Sequence, residues 1–440
     1  MRTLAILPKR VHAQSARAPW LTSFMLQLAV FDSLVSLNPA AAEDSGLSRQ
    51  LLWGMLGVVA LGYLLLGRLA DRELRYSFGG WPVALLLLYT SASLCWSVSP
   101  LATLKRDILL IFLVAVCALS AGAPVDDWRR ERFSTLLAPP ILWLIGLSLV
   151  LTLVAPHRAL SEVGWAGITA GKNTSGQLMA LTVLLVWYGV FHEALRGRPW
   201  WRVVALLAAL GLLFATMSST ALLAVILSIA ITELVTIRLA MRRLASWQIA
   251  VASGVLIVAV LLYFAFLLEL LPTASTLYSH LLGAMGKSET FTGRTAIWNL
   301  VLGESRYHNT WIGGGYGGFW VGRTGVSSYA IVGNNLYPGQ AHNGYIDVYN
   351  DLGILGLALL AIFLTVALYR AARLVALGHP EGKMHLCIPL MCVFLNLGES
   401  TFFRSTSFMN IVFLASVIRS AAVLRHTVIT RTTQPAESTA

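Results

Sequence analysis

The sequence predicts an all-α polytopic membrane protein: about twelve transmembrane helices and one large external loop containing short helices. Three observations predict it. Only 12% of the 440 residues are charged and 57% are hydrophobic, whereas soluble domains carry roughly 25% charge. The mean hydropathy is +0.72. Apolar runs of about 20 residues recur along the chain, the length that crosses a bilayer as a helix. The period-two alternation of a membrane barrel is absent.

Taken in order, the expected spans are near 20–38, 50–67, 81–97, 107–122, 137–156, 176–192, 202–217, 219–236, 249–271, 352–370, 386–398 and 407–424. The seventh and eighth come from one run, 202–236, too long for a single span. Met217-Ser218-Ser219-Thr220 supplies a break, since small hydroxyl residues cap helix ends. One long, tilted or bent helix is the alternative, and it would invert everything downstream. The chain divides into a 1–270 N-terminal transmembrane bundle of about nine spans, a 271–350 external loop, a 351–426 set of about three spans, and a 427–440 cytoplasmic tail.

Charge distribution supports this topology. With the N-terminus in the cytoplasm, the inside segments carry 22 of the 32 Lys and Arg, and each has at least three. Both termini are then cytoplasmic and the long loop lies outside. The basic N-terminus reads as a retained tail, because no small-residue cleavage site follows a compact apolar run. The net charge of +12 reflects topology. Dispersed among cytoplasmic turns, it does not form a nucleic-acid surface. Cys95, Cys117, Cys387 and Cys392 lie in or at the ends of apolar segments, without metal-site spacing or a disulfide framework.

Ten basic residues fall outside, where topology does not call for them. Lys105 and Arg106 precede span four, Lys172 precedes span six and Arg404 precedes span twelve. Grouped in the fold they would make a phosphate site; singly, they snorkel to headgroups. In the loop, residues 293–303 suit a short helix, with Arg294 and Trp298 four apart on one face. The run Gly313 to Gly318 resists regular helix and reads as a tight turn. Tyr316, Phe319 and Trp320 beside it either stack on sugar rings or anchor the loop at the membrane interface. Residues 342–350 begin a helix that runs into span ten, where Gly353 and Gly356 suit close packing.

His342 stands at the loop's membrane-re-entering end, a natural general base near neutral pH or else a surface or capping histidine. Asn343 follows it. Asp347 faces away by more than half a turn and is a poor partner for the ring. Arg294 is suited to gripping phosphate oxygens. Lys172-Asn173-Thr174-Ser175 forms a polar knot at the start of span six. Glu399 brackets a short turn with Arg404, as a second acid or base or as the ion-pair partner of an outer arginine. No Walker motif, dinucleotide fingerprint or metal-spaced histidine–carboxylate set occurs. The expected chemistry uses no metal and no cofactor, so the donor must arrive activated.

These residues carry a resemblance. Gly293-Arg294-Thr295-Ala296-Ile297-Trp298, Gly315-Tyr316-Gly317, His342-Asn343-Gly344-Tyr345 and Asp351-Leu352-Gly353-Ile354-Leu355-Gly356 are similar to motifs of O-antigen ligases, O-antigen polymerases and exopolysaccharide polymerases. Trp96-Ser97, Lys105-Arg106, Gly171-Lys172-Asn173 and Ser218-Ser219-Thr220 support it, over roughly residues 80–410. The resemblance implies a GT-C-type glycosyltransferase of the bacterial inner membrane with its active loop in the periplasm. It implies an undecaprenyl-diphosphate-linked glycan as donor and a lipid-linked glycan or lipid A–core as acceptor. Membrane lipids and a chain-length regulator protein are further implied partners. It makes His342 the base and Arg294 the diphosphate ligand, with Lys105, Arg106, Lys172 and Arg404 as helpers. Asn173, Tyr316, Trp320, Asn343, Tyr345 and Glu399 would support glycan or loop. The pair of motifs Gly293-Arg294-Thr295 and Gly315-Tyr316-Gly317 looks closer to the exopolysaccharide-polymerase branch. Ligases often carry an arginine in the turn between the paired mid-chain spans, and Met217-Ser218-Ser219-Thr220 has none. Polymerase, ligase and a non-catalytic transporter are the three readings; transporters place key polar groups in mid-span instead.

Overall fold

The computed structural model describes residues 19–35, 47–70, 77–122, 132–161, 164–188, 199–241, 294–303, 309–323, 325–331 and 337–433. The helices are α1 (Pro19–Leu34), α2 (Leu47–Ala70), α3 (Trp81–Ala92), α4 (Pro100–Ser120), α5 (Phe133–Val154), α6 (Pro156–Ala159), α7 (Lys172–Tyr188), α8 (Pro199–Ala215), α9 (Ser219–Ala240), α10 (Arg294–Gly303), α11 (Gly344–Ala376), α12 (Gly382–Leu395) and α13 (Phe408–Thr433). A two-residue hairpin, β1 (Leu160–Ser161) against β2 (Gly164–Trp165), is the one sheet among the described residues. The expected ninth span, 249–271, and the first part of the loop, through Gly293, lie outside the described residues.

The chain is an all-α membrane protein. Four described helices are long and apolar enough to cross a bilayer: Phe133–Val154, Ser219–Ala240, Gly344–Ala376 and Phe408–Ile429. Shorter apolar helices stand at Ser23–Leu34, Gln50–Leu66, Trp81–Trp96, Trp200–Ala215 and Gly382–Leu395. The described residues therefore support membrane helices in number but not the count of twelve. The 202–236 run breaks where the hydroxyl residues stand. Met217 takes a left-handed φ of 54° between α8 and α9. α13 continues to Thr433, past the expected start of the tail at 427.

Burial sorts the helices into inner and outer. α7 is buried from Ser175 to Val186 and α12 along nearly its whole length. α13 is buried on all sides from Phe408 to Ser420 and packs on α4, α11 and α12. A helix apolar all round must be enclosed by protein or by lipid. α5, α8 and α9 instead expose Trp143, Leu153, Leu207 and Leu223 outward, a surface that hydrocarbon satisfies.

The turns gather at two ends. At one end Val98 N–H donates to Gly314 O (2.8 Å), Gly176 faces Ser218, and Gly398 faces Thr220. At the other, Ser77 N–H donates to Gly122 O (2.9 Å) and Lys383 Nζ meets Glu233 Oε2 at 2.8 Å. There too a buried ionic knot ties three elements. Glu381, just before α12, accepts from Phe133 N–H at the start of α5 and from Arg419 Nε of α13 (3.5 Å); His385 Nε2 lies 3.7 Å away. Burial raises the carboxyl's pKa, but His385, Arg419 and the N–H outweigh it and pull it down to about 2.

The loop docks on the bundle through its glycines. Trp96 Nε1 donates to Ile312 O (3.0 Å), and Gly314 and Gly315 N–H donate to Asn350 O and Asp351 O (2.9 Å each). Gly315 has φ 96°, and a Cβ there would lie 2.6 Å from Ser97 Cα. Gly353 serves the loop rather than helix packing. Its φ of 67° kinks α11, and a Cβ would meet Trp311 C at 2.3 Å.

Two outcomes follow. Arg419→Met leaves Glu381 buried without its guanidinium and lowers unfolding free energy by about 3–5 kcal/mol; adding Glu381→Met recovers part of it, as read by denaturant unfolding in nanodiscs. Gly315→Ala costs about 1–3 kcal/mol through backbone strain alone, and shows as a lower melting temperature with faster proteolysis of the loop.

Candidate active site

The site is built at the N-terminus of α11. Asn343 caps that helix: its Oδ1 accepts from Tyr345 N–H (3.0 Å) and Ile346 N–H (3.2 Å), and its own N–H donates to Ser400 Oγ (2.9 Å). Gly344 N–H reaches both Asn396 O and Glu399 O at 3.0 Å. A Cβ on Gly344 would strike Asn396 Oδ1 at 1.9 Å, so only glycine lets the 396–401 turn lie against the helix start. Asn396 shapes that turn, accepting from Thr401 and Phe402 N–H with its side-chain oxygen.

His342, one residue before the cap, is thereby set against Glu399. Its backbone is left-handed, φ 51°, a conformation that costs a non-glycine residue about 1–2 kcal/mol. Its Nδ1 lies 3.4 Å from Glu399 Oε2 and 3.1 Å from Gln340 Nε2. The side chain is 29% exposed. Among the described residues no side chain meets its Nε2.

Glu399 is the hub. Its Oε1 accepts from Arg294 Nη2 (2.9 Å) and Asn173 Nδ2 (2.6 Å) while Oε2 faces His342. Arg294 arrives on α10, where Ile297, Trp298 and Val301 are buried and Trp298 Nε1 donates to Ala341 O (2.8 Å). One face of that short helix therefore fastens to the chain next to His342 and the other end of the same stripe brings the guanidinium. Thr220, in the first turn of α9, and Arg294 both border Gly398, where an added Cβ would meet them at 3.0 and 2.9 Å. The Ser218-Ser219-Thr220 turn thus borders the same group.

Arg404 approaches from the other side. Its Nη1 donates to Gln340 Oε1 (2.5 Å) and its Nη2 to Gly339 O (3.0 Å). Asp347 does not touch the imidazole. It accepts from Ala341 N–H (3.2 Å) and from Trp320 Nε1 (2.8 Å), and so holds the backbone in front of the histidine.

Other expected residues go elsewhere. Arg106 turns under the glycine run and donates to Gly317 O and Trp320 O. Lys105 is exposed and Lys172 half-buried beside Asn173. Tyr316, Trp320 and Tyr345 are each at most 5% exposed, so their rings face neither sugar nor lipid. Trp320 packs edge-on to Phe319 (4.9 Å) and Tyr337 (5.9 Å); Tyr316 OH donates to Phe403 O and Tyr345 OH to Val393 O. Burial pushes the Tyr316 phenol well above its usual range, keeping it a donor. These aromatics support the loop from within. Gln340, Asn396 and Ser400 are participants the sequence did not single out. Gln340 lies two residues before His342 outside any recognisable motif, and only Asn396, ending a helix three residues before Glu399, carried a local signal.

Two comparisons bear on this geometry. Residues 203–361 match the model of the O-antigen ligase family, a segment that includes Arg294 and His342 but stops before Glu399 and Arg404. The chain is also 28% identical over 295 residues to the exopolysaccharide production protein ExoQ of Rhizobium meliloti (strain 1021). That match takes in 64% of this chain and 63% of the relative. Both matches bear out the resemblance to O-antigen ligases, O-antigen polymerases and exopolysaccharide polymerases, each over part of the chain.

Proposed function

We propose that this protein is a surface-polysaccharide polymerase, a glycosyltransferase that moves a glycan from an undecaprenyl-diphosphate donor to an acceptor sugar hydroxyl at the periplasmic face. The observation that carries the reading is the meeting of His342, Glu399 and Arg294 at one end of an apolar helix bundle, with the imidazole partly open. The similarity to an exopolysaccharide production protein favours polymer formation.

The chemistry is a single displacement. The acceptor hydroxyl gives its proton to His342 Nε2 as its oxygen attacks C1 of the donor sugar. The bond from C1 to the phosphate oxygen breaks, and the lipid diphosphate leaves with the electron pair. Arg294 answers the growing charge on it, with Arg404, Lys172 and more distant Arg106 adding positive potential. One displacement inverts the anomeric centre. Glu399 stabilises the imidazolium as it forms. The chain's residues supply this without a metal.

The ligase reading, with lipid A–core as acceptor, is favoured by the family description over residues 203–361. Both are separated by one assay. Protein in nanodiscs receives a synthetic undecaprenyl-diphosphate glycan, no nucleotide and EDTA, with either a second lipid-linked repeat or lipid A–core. A polymerase gives a ladder with the first acceptor and nothing with the second. His342→Asn lowers transfer at least about a hundredfold, the lower range for a general base. Its melting temperature stays close to wild type, because asparagine tolerates the left-handed backbone. Near-normal transfer by that variant removes His342 from the mechanism.

A further inference from the structure

We propose that Gln340, oriented by Arg404, holds the His342 ring in the tautomer that cannot act as base, and that a bound lipid diphosphate releases it by drawing Arg294 off Glu399. The proposal rests on the reading of His342 as the base and adds a positioning residue and an order of events to it.

The argument begins at one nitrogen with two claimants. His342 Nδ1 lies 3.1 Å from Gln340 Nε2 and 3.4 Å from Glu399 Oε2. A guanidinium only donates, so the 2.5 Å contact from Arg404 Nη1 fixes Gln340 Oε1 on the Arg404 side. The amide NH2 must then face the ring, and it too only donates. Gln340 therefore requires a lone pair on Nδ1 and places the ring proton on Nε2. Glu399 only accepts and requires the opposite, a proton on Nδ1 and a lone pair on Nε2.

Distance and charge decide between them. Glu399 would win with its full charge, since charge-assisted hydrogen bonds are roughly twice as strong as neutral ones. Its Oε1 is already committed to Arg294 (2.9 Å) and Asn173 (2.6 Å), and its approach to the ring is the longer one. In this state Gln340 holds the ring. A diphosphate competes with Glu399 for Arg294, because both are anionic oxygen acceptors for the same guanidinium and Glu399 holds it through one oxygen alone. Once Arg294 turns to it, Glu399 keeps its charge for the imidazole. One proton leaves Nε2 to water and one enters Nδ1 from water, with no net change in charge. Nε2 then carries the lone pair that takes the acceptor's proton. Donor binds first and arms the base.

The test reads the tautomer directly. Protein carrying imidazole-15N histidine is placed in nanodiscs, and the His342 signal among nine histidines is identified by its loss in His342→Asn. The expected result is a proton on Nε2 without lipid and on Nδ1 after addition of undecaprenyl diphosphate. Gln340→Leu removes the opposing donor and gives Nδ1–H in both states. Gln340→Glu gives the same result while keeping a partner for Arg404, which covers the case in which the leucine variant fails to fold. Nδ1–H in wild type without lipid, a ring unmoved by undecaprenyl diphosphate, or a ring unmoved by both Gln340 variants overturns the proposal. Transfer is measured separately. A hundredfold loss in His342→Asn beside an unresponsive ring leaves the base in place and removes only the switch. Retained transfer in His342→Asn removes the base, and the switch with it.

Discussion

The carboxylate of Glu399 is the constraint on which the site depends. It is the one negative group to which Arg294, Asn173 and His342 all turn. Each comes from a different part of the chain: α10 in the loop, the start of α7, and the entry to α11. A charge at the edge of an apolar bundle must be paired closely to remain there. Its partners are thereby gathered around one carboxylate, and three segments far apart in sequence meet at a single group. Replacing that carboxylate would remove the ties to Arg294 and Asn173 and leave the loop helix held by its buried face and the Trp298–Ala341 hydrogen bond.

A second device brings the loop into register. The glycine run approaches the Ser97–Val98 turn and α11 backbone to backbone, and the kink at Gly353 makes room for Trp311 and Ile312. Buried Tyr316, Phe319, Trp320 and Tyr337 fill the space beneath, their polar tips spent on Phe403, Asp347 and the loop backbone. The strained φ at His342 is sustained by this packing from Asp347 and Asn343 on either side. Strain over-determined by its surroundings is common where geometry serves chemistry.

Periodicity and breakers made much of this readable. The hydroxyl run at 217–220 marked the break between α8 and α9, and the spacing of Arg294 and Trp298 marked a helix with one functional face. His342 stood out because a titratable ring beside a helix start is rare in so apolar a chain. Other features had no local signature. Nothing in the spacing of Gln340 shows that Arg404, 64 positions later, will orient it. The aromatics near the glycines carry the same pattern whether they meet sugar, lipid or protein; only the folded loop shows that they meet protein. Gly353 looked like a packing glycine because a positive φ cannot be read from composition. Glu399 was visible as a charge, yet its role depends on partners 57 to 226 residues distant.

The central position of α13 bears on how the molecule is made. Synthesis runs from the N-terminus, so α1 through α12 are made before the helix that fills the space between α4, α11 and α12 exists. Until then α4 and α11 have lipid where they will later have protein, and the turn bearing Glu399 and Arg404 has no anchor on its far side. The gap between α4, α11 and α12 is thus closed only when α13 takes its place, and the turn bearing Glu399 and Arg404 gains its far anchor last.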